Sequence, residues 1–532
     1  MTSATIPQPM VLLSQHQVCE QHGGLPCDAC TLLADYDAKI VATSSKLDEH
    51  PATRCALLTQ VNAKHDPMGY RLPVEVVSTI FQHCLPNPPS PETFKSFPWP
   101  KNSSSDQEFS QTTAELTSIN HNWRNIAHST PGLWNSIFLN FTRWSISEDR
   151  LAVLLNNVKQ RIHRSGDLLL DIRFITREGP ILVSYCAQIL EALCLEAHRW
   201  RSLCLSAPRK VITVLATQTF PQGSPYLDYM VLNSHNRVLP DNWVLSFHPS
   251  ARLFAPSYLS LRRIPITTTT FDFSRITSLN LGSTTNSKIV NFLDVLPRLT
   301  SLECQIRKED QLFSSGPPVI HPSLKILHLT VLDVIPNLLS RLTLPSLETF
   351  ICYFPSNEHD ALHAFLLRSN CLLQTLSVDM QCGEQEFIEL LHLTPGLYHL
   401  RVHSEITSHF FSYLGETARL NGDQKGFLPH LRTLIFSPDI FHEQEFSWSF
   451  LRSLVPASPA IGSKCRPLHR VTIFADGLHV KLIDRLDLLE FIVGGLEIIV
   501  NSEGDSEQRN QLEDEKSLAD ALGALRTRSL PI

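Results

Sequence analysis

A six-residue pattern, apolar-x-x-L-x-apolar, recurs through the second half of the chain at a nearly constant interval. It stands as ITSLNL at Ile276, LTSLEC at Leu299, LKILHL at Leu324, LETFIC at Leu347 (with Phe350 in the fourth place), LQTLSV at Leu373 and LYHLRV at Leu397. Successive starts are 23, 25, 23, 26 and 24 residues apart. A fixed period of this size marks stacked units, each giving one strand to a shared sheet and one helix or irregular segment to its outside. LRTLIF at Leu431 and HRVTIF at His469 follow at wider spacing, and WRSLCL at Trp200 opens an earlier, less regular part. Proline stands two residues before the leading leucine at Pro297, Pro322, Pro345, Pro395 and Pro429. There it is expected to end the preceding helix and start an extended segment. No asparagine recurs after the strands; Thr284, Leu332, Pro355, Gln381 and Glu405 stand in its place, which predicts variable turns.

A chain of 532 residues exceeds one ordinary core, and at about 150 residues per domain it holds roughly three to four. Apolar residues at 43% and charged ones at 18% suffice for packed cores. The net charge of −7 does not favour nucleic acid or an anionic membrane as a partner. Thirteen cysteines are scattered without regular pairing from Cys19 to Cys465, and no secretory leader pattern follows Met1. Together these predict a reducing compartment, cytoplasmic and/or nuclear. The apolar run Leu489 to Val500 is interrupted by acids and is too short for a spanning helix.

Ahead of the repeats, residues 1–30 show little periodicity and are expected to be poorly ordered. Residues 31–66 read as two helical stretches divided at His50-Pro51. Then RLPVEVVSTIFQHCLP, Arg71 to Pro86, reads as one helix, with Pro73 at the start and Glu75 in the positive first turn. Val76, Ile80 and Cys84 form one row, and Val77, Phe81 and Leu85 the next, so one row can bury while the other remains for a partner. Residues 87–111 are rich in proline and serine and predict a flexible loop. Helical spacing resumes with Leu116, Ile119, Trp123, Ile126 and Ala127. After Ser129-Thr130-Pro131 a further turn is expected to carry Leu133, Trp134 and Ile137. Residues 501–532 form an acidic tail expected to be flexible.

The segments YRLPVEVVSTIFQHCLP and LTSINHNWRNIAHSTPGLWNSIFL, in that order, resemble the F-box of the large fungal F-box-like families. The resemblance rests on Leu72-Pro73-x-Glu75-Val76, on Ile80-Phe81, on Trp123-Arg124-x-Ile126-Ala127 and on Ser129-Thr130-Pro131-x-Leu133-Trp134. The repeats that follow are similar to leucine-rich repeats. The fold expected is therefore α/β: a helical F-box over 67–145, then an irregular leucine-rich-repeat solenoid over 160–500. The resemblance implies a substrate-recognition subunit of a Skp–cullin–F-box ubiquitin ligase. The helices would dock on the Skp-type adaptor of a cullin-RING ligase, and the repeats would hold an unknown protein substrate. The adaptor contacts it implies are Leu72, Pro73, Val76, Ile80, Phe81, Trp123, Ile126 and Trp134. The other reading is a repeat scaffold whose F-box no longer binds the adaptor. Substrate contacts are expected between the strand leucines, at Asn280, Glu303, His328, Tyr353, Ser377 and Arg401.

Little in the chain points to catalysis. Cys19, His22, Cys27 and Cys30 have a spacing that can hold tetrahedral zinc, but free thiols of a reducing compartment fit them as well, and no cofactor is expected. His359 and His363 share a helical face, but Asp360 follows His359 where a zinc hydrolase needs glutamate, and a solvated face is the plainer reading. No glycine-rich phosphate loop or nucleophile elbow is present. The chain reads as a non-catalytic binding protein.

Overall fold

A computed structural model describes residues 27–42, 50–64, 71–85, 104–141, 148–176, 180–218, 220, 226–235, 248, 254–264, 272–306, 317–331, 338–353, 359–379, 383–402, 408–417, 419–420, 426–436, 464–465, 467–474 and 497–501. The chain is α/β and divides into two compact units, Met1–Tyr229 and Met230–Ile532.

The first unit opens with helices Asp28–Ala42 and His50–Lys64, joined by a 2.9 Å bond from Arg54 Nε to Asp37 Oδ1. Helical structure thus begins inside the segment expected to be poorly ordered, and Pro51 lies in the first turn of the second helix, where proline is tolerated. Three more helices follow, Val74–Cys84, Ser104–Ser118 and His121–His128. The helix Ser104–Ser118 overlaps the expected loop; residues 87–103 of that loop lie outside the described residues. The continuous helix expected through Leu116 and Trp123 is in fact two. Asn120 is extended, and its Oδ1 accepts from Trp123 N at 2.7 Å, which caps a new helix and ends the old one.

The turn expected to carry Ile137 corrects to a strand. Pro131–Leu133 is a single 3₁₀ turn, and Ser136–Asn140 pairs in parallel with Leu170–Ile175, which pairs in turn with Trp200–Ala207. The segment 67–145 is therefore not wholly helical, because its last part starts a sheet. The helix Glu148–Arg164 lays Arg164 over the Trp134 ring at 4.6 Å, which ties it to the helices before the sheet.

In the second unit, ten parallel strands pair in chain order from Tyr258–Arg262 to Glu497–Asn501. Each repeat motif lies on a strand. Leu279, Leu302, Leu327, Phe350, Leu376, Leu400, Leu434 and Val471 fall in one register row across the sheet, and all are buried. Each such side chain contributes about 1.5–3 kcal/mol by leaving water. Helices lie on that face: Phe365 of His359–Ser369 meets Phe350 at 5.6 Å, and Phe411 of Ser408–Glu416 meets Phe436 at 5.2 Å.

The prolines before the leucines do not start extended segments. Leu299 N donates to Leu296 O, Leu347 N to Leu344 O, Leu397 N to Thr394 O and Leu431 N to Leu428 O, at 3.0–3.2 Å. Each proline is thus the second residue of a tight turn, where its fixed φ is pre-set. Thr130-Pro131-Gly132-Leu133 closes the same way, with Leu133 N on Thr130 O at 3.1 Å. Among the described residues no helix is long and apolar enough to cross a membrane. The tail beyond Asn501 lies outside the described residues.

Candidate partner-docking sites

The helix Val74–Cys84 begins where Pro73, extended at ψ 148°, leaves its carbonyl to accept from Val76 N at 3.0 Å and Val77 N at 3.2 Å. It ends at Leu85, extended again, whose N–H returns to Gln82 O. Between these ends its apolar surface divides. Val77 and Phe81 are fully buried in a cluster with Leu116, Ile126, Ala127, Leu133 and Trp134, and Leu85 and Trp123 pack at its edge. On the adjacent side Leu72 is 37%, Val74 47% and Val76 42% exposed. Pro73 and Cys84 are exposed as well, and Ile80 is half-buried.

The cluster is fixed by directed bonds as well as by burial. Phe81 and Trp123 rings lie 4.9 Å apart, and Trp134 Nε1 donates to Ala127 O at 2.7 Å. The Thr130 hydroxyl donates to Ile126 O at 2.7 Å and lies 2.9 Å from Ser78 Oγ, so the turn at Pro131 is bonded directly to the Val74–Cys84 helix. A side chain at Gly132 would come within 3.1 Å of Gln82 Cδ, so the exposed Gln82 side chain would have to shift to admit one.

The eight residues implied as adaptor contacts therefore fall into three groups. Leu72, Pro73 and Val76 are exposed, Ile80 and Trp123 are half-buried, and Phe81, Ile126 and Trp134 are core. Sequence reasoning missed Val74 and Ile119, both exposed apolar side chains. Val74 occupies the unassigned place in Leu72-Pro73-x-Glu75, where its apolar character was the signal.

The second candidate site is the sheet face opposite the leucine row. Asn280, Glu303, His328, Ile351, Ser377 and Arg401 are register partners on consecutive strands. Tyr353 belongs to the next row, against Thr330 and Asp379, though its ring reaches His328 at 6.1 Å. Two of the expected exposed positions correct to buried ones: Asn280 and Ser377 are nearly inaccessible, because flanking side chains on a pleated face close over short ones. Asn280 Nδ2, His328 Nε2 and Ser377 Oγ have no hydrogen-bond partner. Arg262 lies 3.9 Å from Glu303. Burial holds the His328 imidazole below its usual range, opposed by the Glu303 charge.

Other candidates are placed as follows. Cys27 and Cys30 flank the start of the first helix, while Cys19 and His22 lie outside the described residues. His359 and His363 do pair, with ring centroids 5.8 Å apart. Their face is not simply solvated: the His359 side chain is only 11% exposed, and its Nε2 bonds Glu386 O at 2.8 Å, linking two successive helices. Among the described residues no group of three or more His, Cys, Asp or Glu is arranged to hold a metal ion.

Comparison with models of known protein families finds no match to this chain. Comparison with curated proteins finds none either.

Proposed function

We propose that the chain is a substrate-recognition subunit of a Skp–cullin–F-box ubiquitin ligase, non-catalytic itself, with its helical segment docking a Skp-type adaptor. The observation that carries this reading is the division of the Val74–Cys84 helix. One row, Val77 and Phe81, is spent on the segment's own core, and a second apolar edge, Leu72, Val74 and Val76, faces outward. An amphipathic helix with a surplus apolar edge is suited to a partner's hydrophobic groove. The sheet face carrying Glu303, His328, Tyr353 and Arg401 would then present polar and charged groups to a substrate protein.

The test is co-purification of the full chain with a Skp-type adaptor, comparing wild type with the Leu72→Ala/Pro73→Ala double variant. Central interface anchors are worth about 2 kcal/mol or more each, so the variant should lose binding while its thermal unfolding stays nearly unchanged. Retained binding would remove this edge from the interface. A folded wild-type chain that binds no adaptor would leave a repeat scaffold instead.

A further inference from the structure

Two arginines lie over one tryptophan in the first unit and a third stands one helical turn from the histidine that meets it; among the described residues none of the three has a carboxylate partner. Arg164 Cζ lies 4.6 Å and Arg161 Cζ 5.5 Å from the Trp134 ring centroid, and the His128 ring meets the same indole edge-on at 5.6 Å. Arg124 comes from the His121–His128 helix. It stands four residues before His128, on the same helical face; burial, then the charges of Arg164 and Arg124, hold the His128 imidazole below its usual range. Burial and Arg164 likewise lower Arg161.

The donors of this cluster are largely unspent. Arg161 Nη1 donates to Ser136 O at 3.2 Å and Arg124 Nε to Thr117 O at 2.8 Å; among the described residues Arg164 makes no hydrogen bond. The ordinary explanation, that cations at a helix C-terminus answer its free carbonyls, accounts for little here. The carbonyls of Arg161, Ile162 and His163 already accept from Ser165 N, Ser165 Oγ and Gly166 N. Asp167 is close in sequence but forms no ion pair with any of the three.

We propose that this cluster is a binding site for a phosphate-bearing small molecule, held by Arg161 and Arg164 against Trp134 and by Arg124 from the neighbouring helix. A guanidinium presents a planar fork that matches two phosphate oxygens, and lying along an indole fixes its direction before the ligand arrives. The half-buried Arg161 and Arg164, joined by the exposed Arg124, fit a multiply charged anion better than a single carboxylate. The ligand would bridge the helices His121–His128 and Glu148–Arg164 and so hold the helical segment to the first strands.

Titration calorimetry on the full chain tests this, with inorganic pyrophosphate and inorganic phosphate as probes. Saturable pyrophosphate binding, tighter than phosphate and accompanied by a higher unfolding temperature, is expected. Arg164→Gln should weaken it roughly tenfold or more, and Arg164→Lys less. If Arg164→Gln fails to fold, Arg124→Gln gives the same readout from the other helix. Absence of saturable binding by wild type at millimolar probe, or variants that bind as well as wild type, would overturn the proposal. So would an acidic peptide that displaces pyrophosphate and binds more tightly, since the site would then belong to a protein segment.

Discussion

The Phe81 and Trp123 rings meet at 4.9 Å, tilted by 48°, and join the helices Val74–Cys84 and His121–His128. Trp123 is thus a structural member of the cluster even though its ring is half-buried. Trp123→Ala should cost about 3 kcal/mol, the low end for deleting a large aromatic side chain. Denaturant unfolding of the full chain checks this, and the loss should exceed that of the Leu72→Ala/Pro73→Ala variant severalfold.

Cys84 closes the outward row that begins at Val76 and is exposed, whereas Cys194 and Cys304 are buried and their thiols are pushed far up by desolvation. Alkylation of the native chain should therefore modify Cys84 quickly and leave Cys194 and Cys304 intact. If an adaptor seats on this edge, it should slow the Cys84 reaction, as mass spectrometry of the labelled protein would reveal.

Leu376 and Ser377 are chain neighbours on opposite sheet faces, and both are buried. Leu376→Ala should cost about 2–5 kcal/mol through lost burial and the cavity left behind. Ser377→Ala removes a hydroxyl with no partner and should leave stability unchanged or slightly raised. Unfolding curves of the two variants would separate the leucine face from the polar one.

His328 gives the sheet a pH dependence. Its imidazole is held below the ordinary value of 6.5, so just under that pH the unfolded chain binds more protons than the folded one. Stability is then present above about pH 6.5 and lost as pH falls through the window down to the folded value. His128 and His399 shift the same way. His328→Gln should therefore reduce the slope of stability against pH without abolishing it, as denaturant midpoints near pH 7.5 and 5.5 would show.

The sheet was legible where apolar residues alternate with polar ones, as in Ser301–Ile306, and obscure elsewhere. Met230, Val231 and Leu232 are all buried, so their strand lacks the alternation that would reveal it. In Leu170–Ile175 a buried Arg173 lies over the Phe138 ring at 5.5 Å, and a charge in mid-strand hides the pattern. The first part of the helix Ser104–Ser118 escaped notice because SSDQEFSQ carries too few apolar residues to show a period; among its described side chains Thr113 and Leu116 are buried. At the Val74–Cys84 helix the two rows were readable from spacing alone. Which aromatics would be core was not, since it depends on how Phe81, Trp123 and Trp134 meet in space.

The turn at Thr130 to Leu133 is bonded to the Val74–Cys84 helix through Ser78, and only Trp134 and Asn135 separate it from the first strand. That linkage is short. The orientation of the helix and that of the first strand therefore constrain each other through one side-chain bond and a two-residue connection.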